Sequence, residues 1–541
     1  MSAFSRNEQR DRASDASQSR FVWDIVVIGG GASGVGIALD AATRGYQVCL
    51  VERFDFGKGT SSRSTKLVHG GVRYLRQGNI SLVREALHER ALLLKNAPHV
   101  SRPLPFIIPC RNSFEWLFYA AGMKVYDSLA GRHNVASSRS LNREDVLERA
   151  ATLDAQRCYA GVLYYDGQFD DSRLLINLAQ TAVNHGACVL NYAEAVGLEQ
   201  TGNRVTAVRC LDHETGEELR LEGRVIINAA GPFCDAVRRM ASEGLPSLTA
   251  ASQGIHLVLD KRFLPGNTAV IVPKTPDGRV VFLIPWHDRT IVGTTDTPIS
   301  ETNIEPRALE TEIDFLLELA SRYLVHSPQR SDVLSVFAGI RPLVQSSSSS
   351  KTSSLSRDHT IEDTCPGMLT ITGGKWTTYR RMAEDCVNRA ADVGGLERRP
   401  SVTRSLPIHG SGADRRKESS GSPDPVSIEE DPLAVYGSDR GGIEMLIRSD
   451  ESLGERIDPR LNVLKAQIVW SVRREMARTL DDVLCRRTRA ILLDADATWT
   501  AAQGAVQTLA EELNRDQAWQ IAELERFRAI VDVHRMSASV H

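Results

Sequence analysis

Long apolar runs, paired cysteines and net charge are what this sequence lacks. No uninterrupted apolar stretch of about 18 residues occurs, so no transmembrane helix is expected. The 9 cysteines are scattered, odd in number and never spaced C-x-x-C. That argues against a disulfide framework or a zinc site and suits a reducing cytosol. The formal net charge of −3 gives no global electrostatic case for nucleic acid. No metal constellation and no internal repeat stands out. Residues 1–20 are rich in Ser, Arg, Asp and Gln and lack the apolar centre of a secretory signal. They read as a disordered tail, and Glu8, Asp11 and Asp15 count against an organellar transit peptide.

What is present is an ordinary globular composition, 42% hydrophobic and 25% charged, in 541 residues, too many for one core. Order begins at "FVWDIVVIGGGASGVGIALDAATRGYQVCLVERFD". A strand at 25–28 meets a Gly-rich turn, an Ala-rich helix follows to about Thr43, and a strand at 48–51 ends on Glu52. Strand-like and helix-like stretches alternate to about residue 395. "SSSSS" at 346–350 reads as a loop, and 410–430 as a linker. Beyond it, Val469, Val472, Met476, Leu480 and Val483 recur at helical spacing, which indicates a small α-helical domain.

Gly29, Gly31 and Gly34 form G-x-G-x-x-G between strand and helix, with Ser33 inside the motif. The first Gly permits the tight turn, the second lets a pyrophosphate approach the backbone, and the third lets helix pack on strand. Glu52 suits ribose hydroxyls and disfavours a 2′-phosphate. This is a dinucleotide site, and the fingerprint alone does not separate NAD from FAD. Later glycine turns at "IINAAGP" and "LTITGGKWTTYR" favour a flavin, whose ring system lies far from its adenine. Gly373 and Gly374 could aim backbone N–H groups at the flavin edge where charge develops.

Taken together, "VIGGGASGVGIALDAATRG", "TSSRSTKLVHGGVRYL", "YYDGQFDDSRL", "NAAGP", "IPWHDRTIVGTTDT", "FAGIRPL" and "TGGKWTTYR" resemble, in order and spacing, the FAD-dependent glycerol-3-phosphate dehydrogenases. The resemblance covers residues 24 to about 395, and continues more weakly into "VRREMARTLDDVLCRRTRA". It implies an α/β fold: a glutathione-reductase-like, Rossmann-type FAD-binding domain, an interleaved mixed-sheet substrate domain and an α-helical C-terminal domain. The expected partition gives 21–105, 160–245 and 330–400 to the FAD domain, and 106–159 and 246–329 to the substrate domain. Residues 401–430 form the linker and 431–541 the helical domain.

The resemblance implies oxidation of sn-glycerol 3-phosphate at C2 to dihydroxyacetone phosphate, with FAD taking the hydride at N5 and electrons passing to a membrane quinone. Thr60, Ser61, Ser62, Ser64, Lys66 and Leu67 then belong to a segment along the pyrophosphate, ribityl chain and ring. His69, Gly70 and Gly71 pass the flavin itself, where a Cβ would intrude. Val196, Ala230, Gly231, Gly374, Lys375 and Thr377 complete the cofactor set. The chemistry needs a base for the C2 hydroxyl, and His69 is the first candidate because imidazole titrates near neutrality. His256 in "SQGIHLVL" is the rival, against which stands a packing role in an apolar strand. Arg341 and Lys375 resemble the family's substrate-facing cations. Arg73, Tyr74 and Arg357 are further candidates for the phosphate end. Thr294 and Thr295 shape a strand near the site.

A quinone lies in lipid, so the chain must dock. Residues 106–132 crowd Trp116, Leu117, Phe118, Tyr119, Met123 and Tyr126 together, with Arg111, Lys124 and Arg132 nearby. That suits an anionic bilayer surface, and the alternative is a helix packed on the substrate domain. The expected location is cytoplasmic, peripherally bound to the inner face of a bacterial-type plasma membrane. Rival readings are a soluble glycerol-3-phosphate oxidase reducing O2, an amine or amino-acid oxidase, and a non-catalytic flavin-binding protein. Oligomeric state stays open, a homodimer among the options.

Overall fold

The computed structural model describes residues 4–72, 75, 79–272, 280–345, 359–412 and 431–536. Arg73, Tyr74, Arg357, the SSSSS run and residues 413–430 of the expected linker lie outside them.

The first sheet is built on parallel strands. Val22–Ile28 lies between Val48–Val51 and Glu218–Asn228, and Met368–Gly373 pairs on the far side of Glu218–Asn228. Where the four run side by side, at 25–28, 48–51, 225–228 and 368–372, they are buried and mostly apolar, as strands covered on both faces must be. The helices Ala32–Thr43, Asp171–Asn184 and Tyr379–Gly394 share one core cluster with them. The carboxyl ends of these neighbouring strands carry Gly29, Glu52, the Ala230–Gly231 turn and Gly374. A crevice at the carboxyl ends of a parallel sheet is where such folds bind ligands.

The second sheet is mixed and contains Ser101–Cys110, Ala160–Phe169, Thr249–Asp260, Val281–Trp286, Arg289–Gly293 and Val333–Val344. This corrects the expected partition. Ala160–Phe169 and Val333–Val344, assigned to the FAD domain, pair in the second sheet. A strand's own residues do not state which sheet it joins; cross-strand partners far along the chain decide it.

The amino-terminal segment is also corrected: Arg6–Gln18 is a helix. Its inward face is Arg6, Gln9, Ala13 and Ala16, polar or small, so no apolar period announced it. Tertiary contacts hold it. Arg6 ion-pairs with Asp212 and Glu214, both at 2.8 Å, and Gln9 accepts from the backbone N–H of Val189 at 3.2 Å.

Beyond residue 431 the chain is helical, with Lys465–Glu475, Ala495–Leu513 and Gln517–His534 the main elements. The apolar period across 469–483 does not belong to one helix. The first helix stops at Met476, which is left-handed with φ 57°, and a second helical turn runs Asp482–Arg487. Asp482 accepts the backbone N–H of Arg478 at 2.7 Å and of Thr479 at 3.1 Å, and so holds the break. The domain is fastened by buried charge to the loop after Val48–Val51 and to helix Asp171–Asn184: Asp55 accepts from Arg486 at 2.6 Å and from Arg487 at 2.6 and 2.8 Å, and Arg173 grips Glu475 through both oxygens.

Candidate active site

At the fingerprint, glycine is required by space. A Cβ on Gly34 would stand 1.9 Å from the carbonyl oxygen of Gly29, and one on Gly29 2.6 Å from that of Ala229. Gly31 is the extended residue before helix Ala32–Thr43, and no side chain of its own caps that helix. The helix end therefore presents N–H groups and positive potential to an anion. Ser33 lies in its first turn. Ser61 Oγ accepts from Ala32 N at 2.9 Å, and Ser61 O accepts from Trp376 Nε1 at 2.8 Å. Ser61 thus joins the fingerprint helix to the "GGKWTTYR" turn. Glu52 accepts from Gly30 N at 2.6 Å and Phe54 N at 2.8 Å, and burial raises its carboxyl above the ordinary value. Val196 sits at an irregularity of the hairpin that follows, where pairing shifts between Ala195 and Gly197.

Between the two sheets lies a cavity of about 860 Å³. Its wall brings together Thr60, Ser64, Leu67, His69, Gly71, His256, Arg341, Gly374, Lys375 and Thr377, which are far apart in sequence. Two of these are placed by strand register. In the antiparallel pair Thr249–Asp260 and Val333–Val344, Ser252 faces Arg341, Gly254 faces Gly339 and His256 faces Phe337. Side chains two apart share a face, so Arg341 and His256 point to the same side. Between them Gly254 leaves the room: a Cβ there would lie 2.2 Å from Arg341 Nη2 and 2.6 Å from Thr294 Oγ1.

Arg341 donates through Nη2 to Thr294 Oγ1 at 3.1 Å and to Thr295 O at 3.0 Å, and Nη1 lies 3.4 Å from Asp296 Oδ1. Its guanidinium is thereby aimed. His256 is 2% exposed and stacks on Phe337, centroids 4.7 Å apart. Burial, then Arg341 and Lys66, push its imidazole well below the ordinary range. His69 faces the same cavity beside Phe282, with ring centroids 6.4 Å apart.

Several expectations move. Lys66 does not line the cavity. Its ammonium is fully buried, donating to Asp171 at 2.7 and 2.8 Å and to Ser62 O at 2.7 Å. Ser62 is buried beneath the same link. Gly70 is glycine for a reason inside the protein: a Cβ would lie 2.4 Å from Tyr126 Oη and 2.5 Å from Leu87 Cδ2. Arg73, Tyr74 and Arg357 lie outside the described residues. Sequence reasoning missed Arg63, Thr65, Asp166 and Asp296, all on the cavity wall. Only Gly254, two residues before His256 in a strand, carried a signal that something crosses that face.

The helix Ser113–Ala130 closes one side, with Phe118, Tyr119, Gly122, Met123 and Val125 on the wall. Met123 and Tyr126 are buried, and Trp116 and Tyr119 pack partly against the core. Phe114, Leu117, Phe118 and Val125 face outward, 78%, 63%, 54% and 49% exposed. No described helix is long and apolar enough to cross a membrane.

Comparison with known proteins decides the family. The family described as "FAD dependent oxidoreductase" matches residues 24–380, and "C-terminal domain of alpha-glycerophosphate oxidase" matches 401–520. The mitochondrial glycerol-3-phosphate dehydrogenase of Arabidopsis thaliana is 40% identical over 95% of this chain and 86% of its own. That of Rattus norvegicus is 39% identical over 94% of this chain and 73% of its own. The chain belongs to the FAD-dependent glycerol-3-phosphate dehydrogenases. Among solved structures, the Bacillus halodurans glycerol-3-phosphate dehydrogenase complexed with FAD superposes with a TM-score of 0.76 at 26% identity, covering 97% of each chain. The L-alpha-glycerophosphate oxidase of Mycoplasma pneumoniae shares the fold alone, with a TM-score of 0.55 at 16% identity over 70% of this chain and 96% of its own.

FAD is the cofactor of this flavoprotein family, and the residues present fit it. Gly29 and Gly34 leave no room for a Cβ, the helix end behind Gly31 faces outward for a pyrophosphate, and Gly374 is left-handed at φ 74° on the cavity rim. Glu52, Val196, Ala230 and Gly231 lie outside the cavity wall, at or beside the carboxyl ends of the first sheet.

Proposed function

We propose that this chain oxidises sn-glycerol 3-phosphate at C2 to dihydroxyacetone phosphate. FAD, when bound, supplies the hydride acceptor. The observation that carries this reading is the convergence of two cations, Arg341 and Lys375, and two imidazoles, His69 and His256, on the cavity that the Gly374 turn also borders. Arg341, held by the Thr294 hydroxyl and Thr295 carbonyl, offers a fixed fork to the phosphate or to a substrate hydroxyl. Lys375 adds a point charge on the wall of the same cavity. His69 takes the proton from the C2 hydroxyl. His256 is poorly suited to that step, because its cation is disfavoured by burial and by the neighbouring charges of Arg341 and Lys66.

The test is anaerobic stopped-flow of the holoprotein with sn-glycerol 3-phosphate, following the flavin absorbance. Fast bleaching with this substrate, and none with glycerol or amino acids, is the expected result. No bleaching of a flavin-loaded protein would sink the reading.

The acceptor is a membrane quinone in this proposal, and the protein is bound peripherally to the inner face of a plasma membrane. Support comes from the apolar residues on the cavity wall, Leu67, Val72, Phe106, Met123 and Phe282 among them, and from the outward apolar face of Ser113–Ala130. The match of residues 401–520 to an oxidase domain favours O2 as the second reading. Stoichiometric peroxide in air, with no gain from an added quinone, selects that reading.

A further inference from the structure

The carboxylate of Asp166 belongs to no step above, yet it is 1% exposed and stands on the cavity wall. It lies in the strand Ala160–Phe169, against which the short strand Leu67–Val68 pairs antiparallel, Leu67 to Gln168 and Val68 to Gly167. The ladder ends there. The next residue of the short strand is His69, and the residue it would face is Asp166. At this point the side chain takes over from the backbone: Asp166 Oδ1 accepts from Gly70 N at 3.3 Å.

That acceptor is itself fixed from two directions. Arg90, on helix Ile80–Asn96, donates to Oδ1 at 2.8 Å, with 0% of its side chain exposed. Tyr126, on helix Ser113–Ala130, donates to Oδ2 at 2.8 Å. Burial and then the Asp166 charge raise the Tyr126 phenol well above its ordinary value, so it remains a donor. The phenol also fills the space a side chain at residue 70 would need. Two helices and one strand thus meet on a single carboxylate, and that carboxylate holds the peptide immediately after His69.

We infer that Asp166 is a positioning residue for His69, and that Tyr126 joins it to the apolar-faced helix so that the His69 loop and that helix are fixed together. The inference rests on His69 being the base. Sub-ångström placement of a catalytic group governs the rate of proton transfer.

The test uses the FAD-loaded full chain in three variants. Asp166→Ala removes every bond of the junction, Asp166→Asn keeps an oxygen for Gly70, and Tyr126→Phe removes only the phenol donor while leaving the Arg90–Asp166 pair intact. Rates are measured per reducible flavin, so loss of folded protein does not count. Expected is a fall in the flavin-reduction rate constant of about tenfold or more for Asp166→Ala, with the substrate dissociation constant unchanged. Asp166→Asn should restore most of it, and Tyr126→Phe should show a smaller loss. Independently of turnover, amide exchange in the segment 67–72 should rise in Asp166→Ala and Tyr126→Phe while the strand Ala160–Phe169 stays protected. If Asp166→Ala does not fold, Tyr126→Phe carries the test, and an unchanged rate with unchanged exchange overturns the inference. An Asp166→Asn variant as slow as Asp166→Ala overturns it too, since charge and not placement would then matter. His69→Ala run beside them separates the two claims: normal reduction there removes the base assignment, whereas slow reduction there with normal Asp166 and Tyr126 variants removes only the positioning.

Discussion

Thr65 Oγ1 lies 2.9 Å from His256 Nε2, and the other ring nitrogen of His256 is buried with no hydrogen-bond partner among the described residues. The imidazole is therefore held neutral in one orientation, against Phe337 and under the field of Arg341 and Lys66. Such a ring shapes a site and is a reluctant proton acceptor. The expected division of labour follows. His69→Ala should slow flavin reduction by about a hundredfold or more, the usual contribution of a general base. His256→Gln, which retains a polar partner for Thr65, should lose less than about tenfold on the same scale. Equal losses in stopped-flow reduction would return His256 to contention.

Gly254→Ala tests the placement of Arg341 without touching its charge. The new methyl would collide with the guanidinium, 2.2 Å from Nη2. Displacing a charged donor from its partner costs about 1.5–3 kcal/mol, so KM for the phosphate substrate should rise roughly tenfold to a hundredfold. FAD content should be normal, because the fingerprint lies in the other sheet. A KM equal to that of the parent in steady-state titrations would show that Arg341 is not a substrate contact.

Phe114 and Leu117 are the residues to change in a docking experiment. Trp116, in the same cluster of the sequence, packs inward against the core and should be left alone. Replacing these two exposed residues, neither of which lines the cavity, with Glu should release the holoprotein from anionic-lipid vesicles in a flotation assay, while bleaching by substrate persists. Unchanged flotation would end the membrane proposal and leave that face to another partner.

Glu523 gives a pH dependence to stability. Burial raises its carboxyl from the ordinary 4.5 to about 7, although it accepts from Leu480 N at 2.7 Å. An acid whose folded pKa is raised binds more protons folded than unfolded between those two values, so stability falls as pH rises through that window. Glu523→Gln keeps the acceptor and removes the titration. Its Tm should exceed that of the parent at pH 8 and approach it near pH 5. A parallel pair of Tm–pH curves would contradict the shift.

The helix Ser113–Ala130 shows how sequence and structure divide the information. The aromatic crowding at 114–126 was visible in the chain. Which aromatics turn outward was not, because Met123 and Tyr126 are as apolar in composition as Leu117 and Phe118. Burial is set by what packs against each face, here Asp166 beneath Tyr126. The amino-terminal helix is the converse case. Its residues carry no apolar period, and ion pairs to Asp212 and Glu214, some 200 positions away, hold it.

By itself the sequence determined the elements whose cause is local. The G-x-G-x-x-G turn, the acid ending the second strand, and the later glycine turns are short signatures readable in the chain, and together with the longer motif set they place the cofactor edge and the family. The tertiary structure alone decided which distant groups share a wall. Arg341 and His256 meet through the register of two strands, Lys66 is drawn away from the cavity by Asp171, and His69 stands where the carboxylate of Asp166 ends a ladder. Strand register and buried ion pairs are long-range choices, fixed by the packing of whole sheets, and no short stretch of chain contains them.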